Sequence, residues 1–231
     1  SIGAIIGALY ASGMSGAEIR AEVESFSFSS DDRPLSDWVS SDALEWVEFI
    51  EVELGKGGLL SSDGFLSYLF DKLGVASFNE LDIPLVITAA NLWTRKQVIL
   101  GKGALLPAIR ASMALPGVFE PAIIDDQVLI DGGTVNPVPY DLLRDDCDLV
   151  IGIDVSGERS PGTKNAKPGY FETLFNAAKV MQRAIMTEKR RRDPADIYIA
   201  PKIKDVRALE FYRAKEIFAQ AAPAKQALKT Q

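Results

Sequence analysis

Residues 1–12 are rich in Ala, Ile and Gly and read as a buried helix that Gly13 stops. Ser15-Gly16-Ala17-Glu18 has the spacing of a capping box, in which the serine and glutamate side chains satisfy each other's backbone N–H, and it opens a second, more polar helix. Residues 25–37 gather Ser and Asp around Pro34 and read as a loop. Residues 38–54 mix Trp38, Trp46, Phe49 and Ile50 with acids in the manner of an amphipathic helix.

Beyond residue 80 the pattern changes to short apolar runs. Residues 84–90 (PLVITAA) are β-branched and uninterrupted, as in a buried strand, and residues 97–100 form a second short strand. Residues 122–130 read as two strands turning at Asp125-Asp126, and residues 148–155 and 196–200 as further buried strands. Helical patterns lie between them at 104–114, 172–191 and 207–219. Strands alternating with helices predict an α/β fold, a three-layer α/β/α arrangement with a mainly parallel central sheet, in one domain over residues 1–231.

The 231 residues are 47% hydrophobic and 25% charged, enough to bury a sizeable core. A net charge of −7 argues against bulk nucleic-acid binding, which needs a basic surface to displace counterions. Cys147 is the single cysteine, so no internal disulfide framework is available. There is no histidine. A Ser-His-Asp triad and a His-ligated metal site are therefore both impossible within this chain. No apolar run approaches the roughly 20 residues that span a bilayer. The first residue is not Met and falls in the middle of a motif, so the chain is expected to be N-terminally incomplete, and an upstream signal sequence would be out of view.

That motif is Ser1-Ile2-Gly3 followed by Ala4-Ile5-Ile6-Gly7, the second half of a G-x-S-x-G nucleophile elbow. In an elbow the serine sits on a sharp strand-to-helix turn, and glycine is needed where a side chain would meet neighbouring backbone. The helix N-terminus then aims free N–H groups, here those of Ile2 and Gly3, at a developing oxyanion. From these residues alone a plain N-cap serine at a tight turn is the stronger reading. The second motif, Asp131-Gly132-Gly133, follows the apolar strand Val128-Leu129-Ile130, where it can stand at the functional edge of a sheet or make an ordinary Asp-Gly turn.

The wider context narrows the choice. Ala108-Ile109-Arg110-Ala111-Ser112-Met113-Ala114-Leu115-Pro116-Gly117-Val118-Phe119 runs on to Asp131-Gly132-Gly133-Thr134-Val135-Asn136-Pro137-Val138-Pro139. In that order these segments resemble the bacterial branch of the patatin-like phospholipase family. The resemblance continues through Gly57-Gly58-Leu59-Leu60, Phe78-Asn79-Glu80-Leu81, residues 148–155 and the stretch from Ala195-Asp196 to Pro201. It implies that Ser1 is the nucleophile and Asp131 its catalytic partner, with Gly132 and Gly133 supporting the aspartate. It also implies that the family's N-terminal strand, glycine-rich oxyanion loop and first helix, roughly 30–45 residues, precede this chain. The expectation therefore concerns the intact protein.

The resemblance further implies a cofactor-free, metal-free lipid acyl hydrolase acting through an acyl-enzyme on phospholipids or lysophospholipids, cytoplasmic or at the membrane periphery. Oligomeric state is left open. A catalytically inactive lipid-binding or regulatory protein and an acyltransferase on the same fold are the rival readings. Trp38, Trp46, Phe49, Phe65, Tyr68, Leu69 and Phe70 suit helices packed on the core better than a lid, yet they also suit peripheral contact with a membrane. The basic run Lys189-Arg190-Arg191-Arg192 reads as a solvated helix C-terminus, with anionic head groups the lesser alternative. Asp31-Asp32, Asp125-Asp126 and Asp145-Asp146 read as turns, because successive residues do not share a face.

Overall fold

Chain connectivity decides strand direction in this protein. The computed structural model describes residues 1–27, 71–116, 119–158, 170–206 and 213–230. These divide into two units: Ser1–Arg20 with the described residues up to Pro137, and residues 21–27 with the described residues from Val138 onward. The amphipathic helix expected over 38–54, the aromatic cluster of 38–70, Asp31-Asp32 and most of the loop expected over 25–37 lie outside the described residues.

The first unit begins with α1 (Ile2–Ala11), which Gly13 ends in a left-handed conformation at φ 102°. α2 (Gly16–Ser27) starts on the expected capping box: Ser15 N–H donates to Glu18 Oε2 at 2.8 Å and Glu18 N–H to Ser15 Oγ at 3.2 Å. A 3₁₀ turn at Phe78–Glu80 leads to β1 (Ile87–Asn91), β2 (Gln97–Leu100), α3 (Leu105–Met113), β3 (Ala122–Ile124) and β4 (Gln127–Asp131). The four strands form one sheet in the order β2-β1-β4-β3.

Every pairing in that sheet is antiparallel. The expectation of a mainly parallel central sheet is therefore corrected for the described residues. Strands joined by five residues (92–96) or by two cannot return to the same end, as a parallel crossover must. The two-residue turn holds Asp125 at φ 47° and Asp126 at φ 58°, the left-handed pair that matches the twist of a tight hairpin. β1 starts at Ile87 rather than at residue 84, since Pro84 has no N–H to give a ladder.

Side chains alternate across a sheet, so Ile87, Ala89, Asn91, Leu129 and Asp131 share one face. α3 packs there through Ala111, which is fully buried beside Ala89, Ala122 and Leu129. Small residues on both sides let helix and sheet approach closely. α1 joins the same core, with Ala4, Ile5, Ala8 and Leu9 packed with Ile87, Leu105, Ala108 and Ile109. Full burial of a side chain such as Leu105 or Ile109 stabilises the unit by about 1.5–3 kcal/mol.

In the second unit β5 (Ile151–Ile153) and β6 (Ile197–Ile199) pair in parallel, with the crossover carrying α4 (Tyr170–Arg192). Here alone the alternation of strand and helix has its expected consequence. Both strands are shorter than the runs 148–155 and 196–200. Tyr140, Val150 and Met186 form the buried cluster, and Tyr140 meets Tyr198 edge-to-face at 6.3 Å between ring centroids. Arg144 braces the loop before β6 by ion pairs to Asp193 at 3.2 Å and Asp196 at 2.9 Å. α5 (Ala214–Lys229) closes the described chain and runs through Pro223, ten residues past the end expected at 219.

Half of the basic run is spent on packing and half stays in solvent. Lys189 Nζ donates to Asp141 Oδ1 at 2.6 Å and to Val138 O at 3.0 Å, and Arg190 lies 4.0 Å over the Tyr198 ring. Arg191 and Arg192 pair with Glu188 at 2.9 and 3.6 Å. No described helix is long and apolar enough to cross a membrane.

Candidate active site

Ser1 is the N-cap of α1 and is exposed. Its carbonyl accepts the first intrahelical bonds, from Ala4 N–H at 2.9 Å and Ile5 N–H at 3.4 Å. The N–H groups of Ile2 and Gly3 precede those bonds and sit at the positive end of the helix, as the elbow motif requires of oxyanion donors. A Cβ at Gly3 would meet nothing among the described residues within 4 Å, and its φ is not positive. Gly7 is tighter, with a Cβ position 3.2 Å from Leu85 Cδ1, so the close approach of α1 to the β1 lead-in depends on the second glycine.

Asp131 ends β4 and is 6% exposed. Its N–H donates to Ala114 O at 2.9 Å, which ties the strand end to the C-terminus of α3. Its Oδ1 accepts from Gly133 N–H at 2.7 Å, and its carbonyl accepts from Thr134 Oγ1 at 2.8 Å. The carboxylate is thus held by its own turn, a 3₁₀ turn over Gly132–Thr134. Among the described residues no donor reaches Oδ2, yet that oxygen is not sealed from solvent. The partner of the carboxylate in this structure is the Gly133 amide rather than the Ser1 hydroxyl.

Gly132 is where glycine is sterically required. A Cβ would lie 2.6 Å from Thr88 O and 2.7 Å from both the carbonyl carbon and Oγ1 of Thr88. The turn after Asp131 therefore presses backbone to backbone on β1. Asn136 closes the same loop, donating its N–H to Gly132 O at 2.9 Å and its Nδ2 to Gln97 Oε1 at 3.2 Å on β2. Gln97 Nε2 is buried without a partner among the described residues. Thr88, Ala114, Gln97 and Asn136 were not assigned roles from the sequence. The Asn-Pro step and the polar start of an apolar strand were the visible signals.

The directions of α1 and β1 relate the two motif residues. Ala11 O at the end of α1 accepts from Asp82 N–H and Ile83 N–H, before β1, and Gly7 lies against Leu85. Read backward along α1, the contacts advance along the β1 segment. α1 therefore runs antiparallel to the segment leading into β1, with Ser1 at the end away from Asp82. Both motif residues belong to the first unit, and Asp131 occupies the face that α1 and α3 cover. Among the described residues no group of three His, Cys, Asp or Glu side chains is placed to hold a metal.

Asn91, buried on the same face, has a structural task. Its Oδ1 accepts from Trp93 N–H at 3.0 Å and Thr94 N–H at 2.9 Å, and its Nδ2 donates to Gln127 Oε1 at 3.1 Å. It builds the β1–β2 connection at the far end of the strand.

Comparison with known proteins adds an independent line. A family model described as patatin-like phospholipase matches residues 1–144. An uncharacterized NTE family protein of Mycobacterium tuberculosis is 29% identical over 131 residues, 56% of this chain and 36% of its own length. Another from that organism is 28% identical over 201 residues, 77% of this chain and 32% of its own length. A lysophospholipase of Saccharomyces cerevisiae is 24% identical over 240 residues, 94% of this chain and 14% of its own length. The chain thus spans about a third of the mycobacterial relatives and a smaller share of the yeast one.

Proposed function

Because this chain belongs to the patatin-like phospholipase family, we propose that the intact protein is a serine acyl hydrolase whose nucleophile is Ser1 and whose base is Asp131, in a single catalytic domain. The observation that carries the reading is directional. α1 starts at Ser1 and runs against β1, while Asp131 ends the strand paired with β1 on the face α1 covers. Residues 1–231 contain no histidine, which favours a carboxylate as the base for the serine.

In this reaction Asp131 accepts the Ser1 proton as Oγ attacks an ester carbonyl. The N–H groups of Ile2 and Gly3 stand at the helix end where negative charge develops, and the family's upstream loop completes the oxyanion site. Asp131 returns that proton to the leaving oxygen, the alcohol departs and an acyl-enzyme remains on Ser1 Oγ. Asp131 then takes a proton from water, whose attack releases the fatty acid. The Asp131–Gly133 bond leaves Oδ2 for this work. The two side chains must come within about 2.6–3.2 Å when substrate is bound, a contact often looser without it. The name of the yeast relative, a lysophospholipase, supports lysophospholipids or phospholipids as substrates.

Hydrolysis of p-nitrophenyl acyl esters by the intact protein is the test. Ser1→Ala and Asp131→Ala are each expected to lower kcat by at least about a thousandfold. Activity that survives either change refutes the dyad. Failure of a fluorophosphonate to label Ser1 favours the non-catalytic lipid-binding reading, and acyl transfer to an added alcohol favours the acyltransferase.

A further inference from the structure

The β1–β2 hairpin turns through Leu92-Trp93-Thr94-Arg95-Lys96, every one of them exposed, with Trp93 at 75%. The loop is nonetheless tightly built. Besides the two bonds to Asn91 Oδ1, Arg95 N–H donates to Asn91 O and Asn91 N–H to Lys96 O, both at 2.9 Å, and Leu92 N–H donates to Val128 O at 2.9 Å. Arg95 takes a left-handed φ of 60° to close the turn. A rigid scaffold thus displays an indole that no part of the turn needs.

We propose that this tip is a membrane-docking element, seating Trp93 at the boundary between head groups and acyl chains of a zwitterionic phospholipid surface. Trp is the side chain that combines a large apolar body with one polar N–H, which suits that boundary. Arg95 and Lys96 beside it stand at phosphate level when the indole is inserted. Antiparallel pairing brings the β3–β4 turn to the same end of the sheet, and its Asp125 and Asp126 offset the two cations. The tip is therefore near neutral, which selects a phosphocholine-type surface over a strongly anionic one. Two more apolar side chains, Ile99 (55% exposed) and Ile123 (74%), lie on the sheet face away from α3.

The inference rests on the hydrolase reading for its purpose. Ala89, opposite Asp131, is four residues before Trp93, so at most about 13 Å of chain separates them. A surface touching the tip is then within one lipid's reach of the carboxylate.

The test is co-sedimentation of the protein with phosphatidylcholine vesicles, comparing wild type, Trp93→Ser and Trp93→Phe. Sedimentation is preferable to indole fluorescence because Trp38 and Trp46 would also report. Trp93→Ser is expected to weaken partitioning about tenfold, and Trp93→Phe to restore most of it, with thermal unfolding unchanged in both. Wild-type protein that stays in the supernatant, or Trp93→Ser that binds as wild type does, overturns the proposal. So does a loss of self-association in Trp93→Ser without a change in vesicle binding, which would assign the tip to a second copy of the chain. Hydrolysis of a water-soluble ester, measured in parallel, is expected to be equal in all three. Its absence from all three sinks the hydrolase reading and leaves the docking result standing.

Discussion

At Gly132 the turn behind the candidate base has no room for even one methyl group. A Cβ would overlap the Thr88 carbonyl, and that backbone is fixed between β2 and β4, so neither side yields cheaply. Gly132→Ala is expected to destabilise the protein by about 1–3 kcal/mol in urea denaturation, and to reduce ester hydrolysis by displacing Asp131. Gly3→Ala, where a Cβ meets none of the described residues, is expected to change stability by less than about 0.5 kcal/mol. Equal losses at the two positions would contradict this account. The sequence showed glycines in both motifs but could not say which was needed for space. That depends on the neighbouring backbone, brought from more than forty residues away.

Among the elements, those whose signals are local came out close to their readings. α1 ends before Gly13, α2 opens on the Ser15–Glu18 capping box, and the β3–β4 hairpin turns at Asp125-Asp126. α5 behaves differently. Pro223 lies inside Ala214–Lys229, where its ring removes one N–H and crowds the preceding turn. Proline normally argues for an earlier stop, and the helical pattern in the sequence reads only to 219. Pro223→Ala is expected to raise the stability of this helix by as much as about 3 kcal/mol, read as increased helical circular dichroism on heating. No gain would mean that the proline kink is accommodated without loss.

Across the molecule, the second unit stakes its stability on buried polar groups rather than on size of core. Asp154, 6% exposed, accepts from Ser156 N–H at 3.0 Å, from the Ser156 hydroxyl, and from Tyr198 OH at 2.7 Å. Burial by itself would raise this carboxyl, but those bonds and the Arg183 charge outweigh it and hold it below the usual range. Its contribution is therefore present above the ordinary carboxylate range and is lost as pH falls through the lowered value. Burial, then the bond and charge of Asp154, push the Tyr198 hydroxyl upward. Its contribution is complete below about pH 10 and fades only as pH rises through the raised value. Tyr198→Phe is expected to lower the unfolding free energy by about 1.5–3 kcal/mol at pH 7, and by less at an acidic pH below the lowered value of Asp154. A deficit equal at both pH values would show that the bond does not favour the charged carboxylate. The order of motifs along the chain determined the family, and short-range signals determined most helix starts and turns. Each of these is written in residue identity and short-range spacing. The pairing of β1 with β4, the steric demand at Gly132, the task of Asn91 and the partners of the basic run were decided only by tertiary structure. Each depends on which distant backbone or side chain is brought alongside, and local pattern carries no record of that.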